Sequence, residues 1–279
     1  MYYHYTSLET LLKILQNIDM QNGVPMLQLY ARRIDKVNDP TEVLVTKRTL
    51  LALVKNYEER NDVPKDNRIA HKIESLSQKA ISDATKLEKM EHPLYITCFS
   101  KKKDYNPMWA LYGDKHHGVC LCFSDDIKCR RVVKDNDNAI IISGDVAYRR
   151  LKDSESVNNC LKVHYMFPST KQEELESVVS DILSYISPFI KNNNYSYERE
   201  FRLCVYNYIS KQIEERWKKE NGTFYENTKD NIKLNIPVSS LKRIILGKKV
   251  PDIMKNLLRN YINAQQYGID IKHSKVPFQ

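Results

Sequence analysis

The stretch YEREFRLCVY, residues 197–206, constrains the fold of this chain more than any other segment. Side chains on a strand alternate between its two faces. Phe201, Leu203 and Val205 therefore fall on one side, and Glu198, Glu200, Arg202 and Tyr206 on the other. The apolar side must be covered, and a side carrying two carboxylates and a guanidinium must meet water, a partner charge or a ligand. On an antiparallel strand the plain reading is a solvent-facing ion pair. Lining a cleft, the same residues would polarise a sugar hydroxyl or stabilise positive charge at an anomeric carbon.

Other segments supply sheet partners. MYYHYTS, residues 25–34, PLYITCFS, GVCLCF, LKRIILG and GIDIKHSKV read as strands, and further strands are expected around 139–149 and 162–167. Leu8, Leu11, Leu12, Leu15 and Ile18 follow helical spacing. Thr6 and Glu9 have the spacing of a capping box at that helix's start. Two polar-rich helices are expected over 41–60 and 66–90, separated by Pro64, and others from Thr170 onward, over about 207–220 and near 251–266. The expected architecture is α+β: one domain over 1–279, with a helical insert at 41–90.

In NPMWALYG, Pro107 opens a short helix on which Trp109 and Tyr112 stand three apart. They either wall a slot for a flat ring or pack in the core. Gly113 and Gly118 bracket a tight return through His116 and His117, adjacent loop residues with no third metal ligand apparent, so no metal site is expected. On the first strand Tyr2, His4 and Thr6 share a face. Six cysteines without C-x-x-C spacing read as reduced thiols. With seven glycines, none in G-x-G-x-x-G spacing, and no phosphate loop, Rossmann and P-loop folds are disfavoured; G-x-S-x-G and H-E-x-x-H are also absent.

The formal net charge of +9 favours anionic partners. Basic residues come in short groups, among them Arg32-Arg33, Lys101 to Lys103 and Lys248-Lys249, which suits a solvated surface better than a nucleic-acid tract. No apolar run reaches the roughly 18 residues that span a bilayer, and a cytoplasmic protein is the expectation.

Taken in order, YHYTSLETLLKIL, NDPTE, CFS, MWALYG, HGVCLCF, YEREFRL and LKRIILG resemble a widespread bacterial family catalogued only as a domain of unknown function. The likeness runs from residue 2 to about residue 250 and skips 45–90. More distantly, the order resembles the ADP-ribosyltransferase superfamily. That resemblance implies a split, mostly antiparallel β-structure and NAD as the substrate. It assigns His4, in HYT where the usual form is HGT, as a hydrogen-bond donor to the adenosine ribose beside Thr6. It assigns Ser100 with Trp109 or Tyr112 to nicotinamide, Glu200 to the key carboxylate with Glu198 two residues before it, and Arg202 to orienting Glu200 or meeting a phosphate. The implied activity is ADP-ribosyl transfer to a protein or nucleic acid, or NAD hydrolysis, in a toxin or anti-phage effector. Two other classes stand beside it: a basic nucleic-acid-binding or nucleic-acid-processing module without NAD chemistry, and a catalytically silent binding fold.

Overall fold

The structure, a computed structural model, describes residues 1–33, 42–75, 94–127, 139–148, 158, 161–162, 165–166, 187–207 and 231–277. The chain divides into two compact units, one of Met1–Arg33, Tyr95–Gly144 and Tyr197–Gln279, the other of Ile34–Leu94 and Asp145–Ser196.

The first unit is built on a mixed but mostly antiparallel open sheet. Its strands are β1 (Tyr2–Thr6), β2 (Asp19–Gln21), β3 (Val24–Arg33), β4 (Leu94–Ser100), β5 (Val119–Phe123), β6 (Ala139–Asp145), β7 (Glu200–Asn207), β8 (Asn231–Pro237), β9 (Leu241–Leu246) and β10 (Asp270–His273). The main order is β10-β9-β5-β1-β4-β3-β2, with β7 pairing β4 and β6, and β8 pairing β3. The β9–β10 pair is parallel, whereas β1–β4, β1–β5, β2–β3, β3–β4, β3–β8 and β5–β9 are antiparallel. Alternation sends Leu27, Leu29 and Ala31 of β3, Leu121 and Phe123 of β5, Phe201, Leu203 and Val205 of β7, and Leu234 and Ile236 of β8 into one core. The helices α1 (Leu8–Gln16) and α5 (Asp252–Ala264) add Leu11, Ile14, Leu15, Leu258 and Ile262 to it. A smaller cluster gathers Tyr5, Met108, Trp109, Cys120, Cys122 and Ile245, the opposite parity on β1, β5 and β9.

Local chemistry differs from expectation in three places. Helix α1 is capped by Ser7, whose hydroxyl accepts from the Thr10 amide at 3.1 Å, while Glu9 pairs with Lys13; Thr6 instead ends β1. The short strand β2 was not anticipated, although Asn22-Gly23, both with positive φ, form the two-residue turn that joins a tight hairpin. The described residues 162, 165 and 166 are helical where a strand was expected. The helices expected after Thr170 and over 207–220 lie outside the described residues, apart from Asn207, which ends β7. Cys98, Cys120, Cys122 and Cys204 are reduced thiols, as expected.

In the second unit, α2 (Glu42–Arg60) and α3 (Ala70–Ser75) follow the expected helical region, with residues 76–93 outside the described set. Glu58, 2% exposed, binds the start of α3. Its Oε1 accepts from the amides of Ile69 at 2.7 Å and Ala70 at 3.0 Å and from the Tyr165 hydroxyl at 2.7 Å. A carboxylate is favoured there because the first amides of a helix lack intrahelical partners. Among the described residues no helix is long and apolar enough to cross a membrane.

Candidate functional site

The polar track expected on one strand face divides in two. Glu198 lies outside the strand, at the end of a 3-10 turn over Asn193–Glu198. Arg199 follows in the left-handed region (φ 47°), and β7 begins at Glu200. Backbone at positive φ reorients the chain, so strand alternation cannot be extended back to Glu198. Two contacts seat this corner on the end of β4. The Ser100 hydroxyl donates to the Glu198 carbonyl at 2.6 Å and the Lys101 amide donates to the Arg199 carbonyl at 2.9 Å, while Ser100 Oγ itself accepts from the Lys102 amide at 3.0 Å.

Glu200 and Arg202 do share a face, the one opposite Phe201, but that face is not wet. Arg202 is 0% exposed and Glu200 7%. Arg202 donates from Nε at 3.1 Å and from Nη2 at 2.9 Å, both to Oε2 of Glu200. The solvent-facing ion pair is thus corrected to a buried one, whose partners have given up hydration and depend on each other.

Tyr112 closes the cluster. Its hydroxyl donates to Glu198 Oε1 at 2.8 Å. Burial first, and the Glu198 carboxylate second, push the Tyr112 phenol well above its ordinary value; Glu200 adds to the effect. The phenol therefore stays protonated and serves as a donor. The residue as a whole is 45% exposed while Glu198 is 1% exposed, so its tip is engaged and part of its ring remains accessible.

Trp109 stands apart from Tyr112 because α4 (Asn106–Leu111) ends between them and Tyr112 is its C-cap, with φ −121° and ψ −17°. Trp109 is 0% exposed and donates Nε1–H to Asp104 Oδ1 at 2.8 Å. Tyr5 meets it edge-on at 5.1 Å, and the His116 ring stacks on it at 5.6 Å. A Cβ at Gly113 would come within 2.5 Å of the Trp109 ring, and one at Gly118 within 2.2 Å of the Thr6 carbonyl, so both glycines permit close approach. Of the two aromatic residues expected to face nicotinamide, Tyr112 has accessible ring surface and Trp109 is core.

His4 lies on the other side of the sheet from Glu200. Tyr2, which shares its face, stacks on Phe201 at 4.0 Å. The His4 ring packs 5.6 Å from Phe99, and its cross-strand partner is Leu121. Phe201, Phe99 and Leu121 all belong to the main core. Thr6 has the same parity as His4 on β1. The structure therefore gathers Ser100, Tyr112, Glu198, Glu200 and Arg202, and leaves His4, Thr6 and Trp109 out of that cluster.

His4 Nδ1 donates to the Cys98 carbonyl at 3.0 Å, because a carbonyl can only accept. In the neutral ring Nε2 is then an acceptor, which corrects the expectation of a donor to ribose. Burial holds the His4 pKa below its ordinary 6.5, against the opposing effect of the Cys98 carbonyl. A histidine kept neutral in the fold but able to protonate when unfolded stabilises the protein fully above the unfolded pKa. That stability is lost progressively as pH falls below 6.5. Chemical denaturation from neutral to mildly acidic pH should show wild type losing stability faster than His4→Gln, and parallel curves would contradict this.

One feature escaped sequence reasoning. Asp104, in the left-handed region at φ 47°, accepts from Trp109, from the Ser274 hydroxyl at 2.6 Å and from the Lys275 amide at 2.7 Å, tying the C-terminal segment to the loop before α4. No local pattern marks it, since its partners lie up to 171 positions away. The basic group Lys101–Lys103 named from the sequence is exposed and adjoins the Glu198 corner, where Arg199 is exposed as well. Among the described residues no three His, Cys, Asp or Glu side chains converge as a metal site would require.

A family model described as "Protein of unknown function (DUF2971)" matches residues 108–203, a span that contains Tyr112, Glu198, Glu200 and Arg202. No curated protein and no solved structure matches the chain.

Proposed function

We propose that the protein cleaves the bond between nicotinamide and ribose in NAD and passes ADP-ribose to a macromolecule or to water. The observation that carries this reading is the accessible Tyr112 ring beside two carboxylates, Glu198 bound by its hydroxyl and Glu200 bound by Arg202. Nicotinamide in NAD is a cationic aromatic ring, and an aromatic face beside negative charge is the environment that attracts one. As the glycosidic bond breaks, positive charge develops on the ribose. Glu200 accepts from the 2′-hydroxyl and stabilises that charge, Arg202 holds Glu200 in orientation, and Glu198 positions the acceptor. Lys101–Lys103 and Arg199 supply the positive charge that the pyrophosphate requires. His4 has no part in the reading. Unregulated consumption of NAD would suit a toxin or an anti-phage effector.

The test is incubation with NAD labelled on its adenosine half, following nicotinamide release and label appearing on protein, RNA or DNA. Wild type should release nicotinamide. Tyr112→Ala, which removes the ring, should raise KM more than it lowers kcat, because an interaction made in the ground state and the transition state alike is lost. Folded wild-type protein that releases no nicotinamide under any acceptor would overturn the proposal.

A further inference from the structure

The face of β3 and β8 turned away from the main core carries chemistry that the reading above leaves unused. Leu27, Leu29 and Ala31 of β3 and Leu234 and Ile236 of β8 occupy the core face. By alternation Gln28, Tyr30 and Arg32 of β3, and Asn231 and Lys233 of β8, take the other. Tyr30 is 54% exposed, and Arg32, Asn231 and Lys233 are exposed. The register sets Tyr30 directly opposite Lys233, and Arg32 directly opposite Asn231. Such pairs stand about 5 Å apart, and residues two along a strand about 7 Å apart. An accessible aromatic ring is therefore flanked on two sides by cations, with amides alongside. Neither strand contains an aspartate or glutamate; Asp19 of β2, opposite Met26, has the parity of this face.

We propose that this face binds an unpaired nucleic-acid strand, with Tyr30 stacking on a base and Arg32 and Lys233 meeting the flanking phosphates. Charge complementarity selects a polyanion. The exposed ring selects one whose flat faces are accessible, which a duplex conceals within its stack. Gln28 and Asn231 carry amides able to pair with base edges. A lipid surface would use the two cations and the ring but leave the amides without base edges to pair with. The proposal stands whether or not NAD is turned over, since it concerns binding alone.

The experiment is fluorescence anisotropy with a short labelled single-stranded oligonucleotide, as RNA and as DNA, competed by the same sequence as a duplex and by inorganic polyphosphate. Wild type should bind the single strand of either sugar more tightly than duplex or polyphosphate. Tyr30→Ala should weaken binding about tenfold and Tyr30→Phe should restore it, because stacking needs the ring and not the hydroxyl. Lys233→Gln should reduce the slope of log affinity against log salt by about 0.7, the value for one phosphate contact on a single strand. Both side chains are exposed, so the variants should fold, and circular dichroism checks that they do. No binding, polyphosphate competing as well as the oligonucleotide, duplex preferred, or an unchanged Tyr30→Ala affinity would each overturn the proposal.

Discussion

Glu200→Gln should lose nicotinamide release by a factor of about 10²–10³ and destabilise the protein by about 3 kcal/mol. The first loss follows from removing the charge that stabilises the ribose cation. The second follows from burial: Arg202 is fully buried, and both of its described donors go to one Glu200 oxygen. Glutamine keeps a carbonyl to accept one of them, which places the cost near the lower end for a broken buried pair. The double variant Glu200→Gln with Arg202→Met separates the two effects. Removing the guanidinium, whose charge the glutamine no longer balances, should recover much of the stability without recovering activity. Urea denaturation beside nicotinamide release reads both quantities. If the double variant were no more stable than the single one, the buried pair would not be the cause; if activity returned with stability, Glu200 would be a structural residue.

Trp109→Ala should be the most destabilising substitution among the aromatic residues, at about 3–5 kcal/mol. It empties the centre of the smaller core cluster and removes contacts with Tyr5 and His116. It also takes away one of the donors to Asp104. Tyr112→Ala should cost less, about 1.5–3 kcal/mol, because the described interaction lost is one hydrogen bond to a carboxylate. Thermal and chemical denaturation of both variants, beside NAD titration, distinguish core from wall. Trp109→Phe, which keeps most of the volume, should fold and bind NAD as wild type does. A Tyr112→Ala variant less stable than Trp109→Ala would reverse the assignment.

Strand positions were largely legible because they depend on local pattern. β1, β4, β5, β7, β9 and β10 arise from short runs of β-branched and aromatic residues, and α4 from Pro107 and the residues after it. The thiols of Cys98, Cys120, Cys122 and Cys204 followed from the lack of ligand spacing. Two elements outside the expectations carry local signals all the same: in NIKLNIP of β8, Ile232, Leu234 and Ile236 alternate with polar residues, and Asn22-Gly23 is a hairpin turn that defines β2.

The site divided differently. Within β7 the sequence alone determined that Glu200 and Arg202 share a face and that Phe201 opposes them, because alternation is a property of one strand. It could not determine which face of β1 meets which face of β7, since pairing register and sheet order decide that across nearly 200 positions. Tertiary structure set Tyr2 on Phe201 and so carried His4 away from Glu200. It buried the Glu200–Arg202 pair and ended α4 between Trp109 and Tyr112, sending one ring into the core and the other to Glu198. Local spacing encodes direction along an element; burial and juxtaposition belong to the packing of elements distant in sequence.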